Sequence, residues 1–245
     1  MPGEPRQVCG VTPVDDLAPR LRGPRFDSLP GFLAVRDDLF TRQPLESLPR
    51  PGVDAVMALS CTAAPWNSLC VFTDPDGTVT RLDPFPTPER AGTNLRLAGA
   101  CWFSRKPPST GSLEDDVRHC LDRGGVIRAV LPPGRAFLVC SREEQLRACH
   151  AVLSGLVVPG VAGCEPLDGM FIQGDVAPSA ALSGTVWTAP GSVVEDCCRL
   201  ENCVILPGAV VGRGSRLRNA LVDPGVRVPP DTDLEDKYPS FPGEH

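Results

Sequence analysis

The chain has 245 residues, 42% hydrophobic and 22% charged, a globular balance that excludes a disordered chain. With 24 Lys and Arg against 30 Asp and Glu the net charge is −6, and no basic block occurs, which argues against a nucleic-acid binder. No apolar run approaches the ~18 residues that cross a bilayer, and Met1-Pro2-Gly3-Glu4-Pro5 does not open a secretion signal, so no membrane partner and a cytoplasmic location are expected. Glycine (24) and proline (28) beside 5% aromatics favour many short strands over a helix bundle.

In chain order, Val14, Leu17 and Leu21 share one helical face and predict a short helix at about 14–22 lying on a sheet. Phe32-Leu33-Ala34-Val35 reads as a buried strand. Val53, Ala55, Met57, Leu59 and Cys61 alternate with period two, a second strand. Residues 69–73 and 78–82 flank Asp74-Pro75-Asp76-Gly77, a hairpin signal because Pro presets the turn and Gly accepts a positive φ. Residues 100–104 read as a further strand. Ser112-Leu113-Glu114-Asp115 resembles a capping box and Gly124-Gly125 should stop that helix. Ser141-Arg142-Glu143-Glu144 opens another, ended by Gly155. Residues 126–131 and 136–140 read as strands. This order predicts a mostly parallel or mixed sheet covered by helices.

From residue 171 the text changes. Val176, Leu182, Thr188, Val194, Leu200 and Leu206 are spaced by six, as are Val186, Ser192, Cys198, Val204 and Val210. The register then slips by one, to Val211, Leu217, Val222 and Val228. Small and turn-forming residues fill the gaps. This is the hexapeptide β-helix pattern, with each hexad one flat side of a triangular coil and inward side chains stacked into ladders. An ordinary β-sandwich would not hold one phase over so many steps.

The eleven cysteines include no CxxC pair, so zinc binding is not expected. Cys61, Cys70, Cys101 and Cys140 sit in apolar strings and read as small hydrophobes. Cys197-Cys198 with Cys203 is a candidate redox cluster. No Gly-x-Ser-x-Gly elbow occurs.

The order of elements resembles the later part of a sugar nucleotidyltransferase of the nucleotide-sugar pyrophosphorylase family, over residues 12–232. Phe32-Leu33-Ala34-Val35-Arg36-Asp37-Asp38-Leu39 stands where that family has a strand ending in Asn-Gly-Asp. Asp74 to Arg81 is similar to the hairpin before its Glu-Lys-Pro element. Asn94-Leu95-Arg96-Leu97-Ala98-Gly99-Ala100-Cys101-Trp102-Phe103 resembles its Asn-Ala-Gly strand. Residues 112–117 resemble the helix that follows, and 136–148 the strand and helix carrying Asp-Val-Gly-Thr-Pro-Glu.

The resemblance implies an α/β plus all-β chain. It comprises an incomplete Rossmann-like nucleotidyltransferase domain over residues 1–158, a short left-handed parallel β-helix of about three coils over 165–232, and an irregular tail over 233–245. It also implies a site for a nucleotide and a sugar phosphate, whose negative charges require a glycine-rich anion cradle, cations and carboxylate-held Mg²⁺. The Gly-x-Gly-Thr-Arg-Leu loop of that family does not occur, and the first βα steps are expected to be missing. Its phosphate-binding lysine is replaced by Phe85, its second metal-binding aspartate by Leu138, and its strand asparagine by Leu97. Asp38 remains as a metal candidate or a strand-end turn residue. Gly99 remains as a substrate-binding candidate or a packing position. Glu114, Asp115 and Asp116 open a helix and read as dipole partners.

These departures predict an impaired homologue acting as a non-catalytic regulatory or structural subunit. Its partner would be a second copy or a catalytic homologue docked through the β-helix, and no cofactor is expected beyond Mg²⁺ for residual activity. An active pyrophosphorylase would need its missing strands from an upstream stretch or a partner chain. A hexapeptide acyltransferase needs a histidine base, and His119, His150 and His245 all lie outside residues 171–232.

Overall fold

The computed structural model describes residues 8, 30–36, 39–41, 43–62, 68–107, 111–139, 141–157 and 166–237. The chain divides into two compact units, Leu17–Leu138 and Met1–Asp16 with Val139–His245. The helix expected at 14–22 lies outside the described residues. The expected boundary at 158 differs from this division, which places the helix after residue 140 with the repeats.

The first unit is built on one six-stranded sheet. Its strands are β1 (Phe32–Val35), β3 (Ala55–Cys61), β4 (Leu69–Thr73), β5 (Val79–Pro84), β6 (Leu95–Phe103) and β7 (Ile127–Val130). The order is β5-β4-β6-β3-β7, with β1 on β6. The sheet is mixed, but only β3 and β7 run parallel. That arrangement lends no support to a Rossmann-like order. The β4–β5 hairpin turns at the expected place, where the Gly77 N–H donates to the Asp74 carbonyl at 3.0 Å.

The period-two pattern of β3 divides its side chains between two apolar clusters, one on each face. Ala55, Met57 and Leu59 join Leu97, Cys101 and Phe103 of β6 on one face, covered by Leu113 and Val117 of α1 (Leu113–Asp122). Val56 and Ala58 join Ala98, Ala100 and Trp102 on the other. That face is covered by Leu45, Leu48 and an antiparallel ribbon of β2 (Leu39–Thr41) and β8 (Ala136–Leu138). β1 pairs only with β6 and its Phe32 is 46% exposed, so it is an edge strand rather than the buried strand expected. Ser112 caps α1 by accepting from the Asp115 N–H at 3.1 Å, a bond contributing about 1 kcal/mol.

The second unit holds α2 (Arg142–Leu153), capped by Ser141, and a β-solenoid. Each coil contributes one strand to each of three parallel sheets. The first sheet stacks β9 (Met170–Ile172), β12 (Val186–Thr188), β15 (Val204–Ile205) and β18 (Leu221–Val222). The second stacks β10 (Asp175–Val176), β13 (Val193–Val194), β16 (Val210–Val211) and β19 (Arg227–Val228). The third stacks β11 (Ala181–Ser183), β14 (Arg199–Glu201), β17 (Arg216–Arg218) and β20 (Asp233–Glu235).

There are therefore four coils rather than about three. The solenoid runs past residue 232, because Leu234 of β20 pairs with Leu217 and packs on the core. From the second coil onward the repeat is 17 residues, as in Asn202 to Asn219 and Asn219 to Asp236. One side of each coil is thus a residue short of a hexad. The short side turns at Asn202, Asn219 and Asp236, whose φ values are 53°, 48° and 53°. Asparagine and aspartate enter this left-handed region more readily than other side chains. The slip read at Val211 therefore occurs earlier, and on every coil from the second onward. Consequently Cys203, Ile205 and Val211 point into the core, while Val204 and Val210, placed inward by a strict six-residue phase, do not join it. A second corner is a stacked set of Pro-Gly turns, Pro190-Gly191, Pro207-Gly208 and Pro224-Gly225. Glycine φ values near 70° there match the third position of a type II turn.

The Asn202 Nδ2 donates to Asn219 at 3.3 Å, and Asn219 Nδ2 donates to Asp236 at 3.0 Å, forming a ladder along the short corner. Replacing Asn219 by glycine removes the ladder but keeps the backbone conformation. Replacing it by alanine adds a left-handed penalty of about 1–2 kcal/mol. Thermal unfolding should rank wild type above Asn219→Gly, and Asn219→Gly above Asn219→Ala.

Candidate functional site

Of the segments that the resemblance assigns to a substrate site, those carrying Arg36, Leu39 and Leu138 meet around Gly99. A register shift puts Met57 opposite Cys101 but Leu59 opposite Leu97, so β6 bulges at residues 98–100. Gly99, with φ 88°, sits at that bulge. A Cβ there would lie 2.6 Å from Leu138 Cδ2, 3.4 Å from Arg36 Cδ and 3.5 Å from Leu39 Cβ. Gly99 is therefore required by close packing, and its front is closed by the β2–β8 ribbon. The Arg36 N–H donates to the Gly99 carbonyl at 2.9 Å, and the Arg36 guanidinium forms an ion pair with Glu114.

Leu138, standing where a second metal-binding carboxylate is implied, is 5% exposed and belongs to the apolar cluster under the sheet. Arg36, whose side chain lies beside Gly99, holds an acid of α1, Glu114. An alkyl side chain offers Mg²⁺ no oxygen, so Leu138 cannot serve as a ligand to the ion. Asp38, the metal candidate, lies outside the described residues, as does Asp37. Phe85 follows β5, with φ 47° and 67% exposure. Asp115 bonds Ser112 and pairs with Arg118, consistent with a role at the helix start. Glu114 does more, and its partner Arg36 lies 78 positions away, a pairing with no local sequence signal.

The candidate redox cluster is not assembled. Cys197 occupies an exposed turn with φ 59°, while Cys198 and Cys203 are buried in the solenoid. Cys198 Sγ donates to the Gly212 carbonyl at 3.2 Å and Cys203 Sγ to the Leu217 carbonyl at 3.3 Å. Burial pushes the Cys203 thiol up to about 11 and raises Cys198 as well, which disfavours the reactive thiolates.

His150 is brought to the solenoid by α2, although it lies outside the repeats in sequence. Its Nε2–H donates to the Asn202 carbonyl at 3.2 Å, at the short corner. Burial lowers its pKa from 6.5. The Nε2 proton is thus engaged by the backbone. At the other end of α2, Arg142 Nε donates to Asp223 Oδ2 at 2.7 Å. Two grooves lie on the outer faces of the solenoid. One, of about 380 Å³, is lined by Asp175, Val193, Glu195 and Arg213. The other, of about 510 Å³, runs over β11, β14, β17 and β20.

A family described as GlmU-like, C-terminal hexapeptide matches residues 164–236. That span coincides with the four coils, and residues 166–237 form a hexapeptide-repeat β-solenoid. Comparison with the curated proteins finds no match. Among the described residues no helix is long and apolar enough to cross a membrane.

Two stability measurements check these contacts. Gly99→Ala should lower the unfolding free energy by about 1–3 kcal/mol through overpacking. Its cost should shrink when Leu138→Ala is present, because the double variant removes the clash. His150 is held neutral in the fold with a depressed pKa, so the unfolded chain takes up its proton first as pH falls below 6.5. The stability contributed by His150 is full above that pH and is lost below it. His150→Ala should therefore cost about 1 kcal/mol at pH 8 and less at pH 5, as read from urea titrations.

Proposed function

We propose that this protein is a catalytically impaired sugar-nucleotidyltransferase homologue that serves as a non-catalytic regulatory or structural subunit, with its solenoid as the interaction module. The observation that carries the reading is the packing of Leu138 on Gly99. Nucleotidyl transfer to a sugar 1-phosphate joins two polyanions, and the site must neutralise them with cations and a carboxylate-held metal. Around Gly99 the side chains are leucines, and the nearby guanidinium is already paired with Glu114. A buried leucine cannot replace a metal ligand, whereas it stabilises the fold by about 1.5–3 kcal/mol.

The solenoid supports the second half of the reading. It resembles a GlmU-like hexapeptide region, and its outer faces carry ordered rows of charged side chains on a rigid stack. A left-handed coil, a second copy or a catalytic homologue as partner, and a cytoplasmic setting belong to the same proposal. The free thiols suit a reducing compartment.

Purified protein incubated with Mg²⁺, each nucleoside triphosphate and a panel of sugar 1-phosphates should release no pyrophosphate above the protein-free rate. Sustained turnover with any pair would overturn the reading and make the chain an active pyrophosphorylase.

A further inference from the structure

The third solenoid sheet exposes two columns of side chains, which treat charge differently. In one, Glu201, Arg218 and Glu235 are in register and alternate in sign. Arg218 is held on both sides, at 3.1 Å from Glu201 and 2.9 Å from Glu235. In the other column the in-register residues are Ala181, Arg199, Arg216 and Asp233. Here two guanidinium side chains stand on adjacent strands, roughly 4.8 Å apart at the backbone. Like charges set directly side by side are destabilising. Among the described residues neither Arg199 nor Arg216 has an ion-pair partner, and both are exposed.

The surroundings give this pair a direction. Asp233 follows Arg216 and repels an anion from that end. Ala181 precedes Arg199, and Ser183 stands beside it in the neighbouring column, so the first coil has short side chains where later coils have long ones. The result is a notch at the Arg199 end of the groove of about 510 Å³.

We propose that Arg199 and Arg216 form a binding site for a phosphate dianion, free or as a small monoester whose organic part lies over Ala181 and Ser183. Two planar guanidinium forks on neighbouring strands can each donate a pair of N–H groups to phosphoryl oxygens. A dianion set between them turns their mutual repulsion into two attractions. The site stands apart from Gly99 in sequence and in fold unit, and it does not depend on the loss of catalysis proposed above.

The test is calorimetric titration of the full-length protein with inorganic phosphate and with glycerol 3-phosphate at low ionic strength. Saturable binding to one site is expected, weakening as salt rises. Arg199→Gln and Arg216→Gln should each weaken it about tenfold or more, the loss of a charge-assisted partner. Arg213→Gln, in the turn between β16 and β17 and lining the other groove, should bind as wild type does. Circular dichroism of each variant separates lost binding from lost fold. Ala181→Leu fills the notch without touching either arginine. If the ester binds more tightly than phosphate and Ala181→Leu abolishes that advantage, the monoester is the occupant. If the two bind alike and Ala181→Leu changes neither, free phosphate is. The proposal is overturned if neither ligand saturates, or if the folded Arg199→Gln and Arg216→Gln variants bind as wild type does.

Discussion

Stacking of successive coils through main-chain hydrogen bonds is the constraint on which the solenoid depends. Its strands are two or three residues long, too short to persist alone. Each strand is held by the neighbouring coils, on both sides in the two middle coils, as where the Val193 N–H donates to the Ala209 carbonyl at 2.8 Å and the Val210 N–H to the Val226 carbonyl at 2.9 Å. The bonds fix a register, and the register places like positions above one another. Inward, this gives the ladder of Val194, Val211 and Val228, which excludes water. Outward, it turns any repeated charged residue into a column. The alternating column through Arg218 and the paired arginines 199 and 216 are two consequences of one periodicity.

Helix α2 adds a covering layer to one side of that stack. It packs on β12, and Trp187, Val204 and Leu221, which do not join the solenoid core, are nonetheless fully buried. Two polar contacts at opposite ends of the helix reach different coils. Arg142 bonds Asp223 after β18, and His150 bonds Asn202 before β15. A helix tied at both ends to separate coils also resists their sliding past one another. The Arg142–Asp223 pair is largely withdrawn from water, so its value lies in geometry and specificity more than in Coulomb energy alone.

In the sheet unit the corresponding device is the bulge at Gly99. The register shift there is two residues, so β6 keeps its alternation across the bulge, with Leu97 and Cys101 on one cluster and Ala98, Ala100 and Trp102 on the other. The bulge requires a positive φ, and the space beside it is occupied by Leu138. A backbone position suited to close approach by a ligand is used here for close approach by a side chain.

Much of this architecture was legible in the sequence because it rests on local signals. The Pro-Asp-Gly hairpin, the serine caps of both helices, the period of two in β3 and the hexapeptide text each encode a conformation within a few residues. The coil count and the true phase were not legible. The one-residue deficit at Asn202 and Asn219 shows only when successive coils are laid in register, and it decides which of Cys203, Val204 and Ile205 faces inward. Nor could the sequence place Arg36 against Glu114, His150 against Asn202, or Arg199 beside Arg216. Such contacts join residues far apart in the chain, and their energies exist only once the backbone has closed the loops between them. The sequence alone therefore determined the kinds of element and their order. The tertiary structure decided which charges meet, which are left unpaired, and that the ground in front of Gly99 is filled.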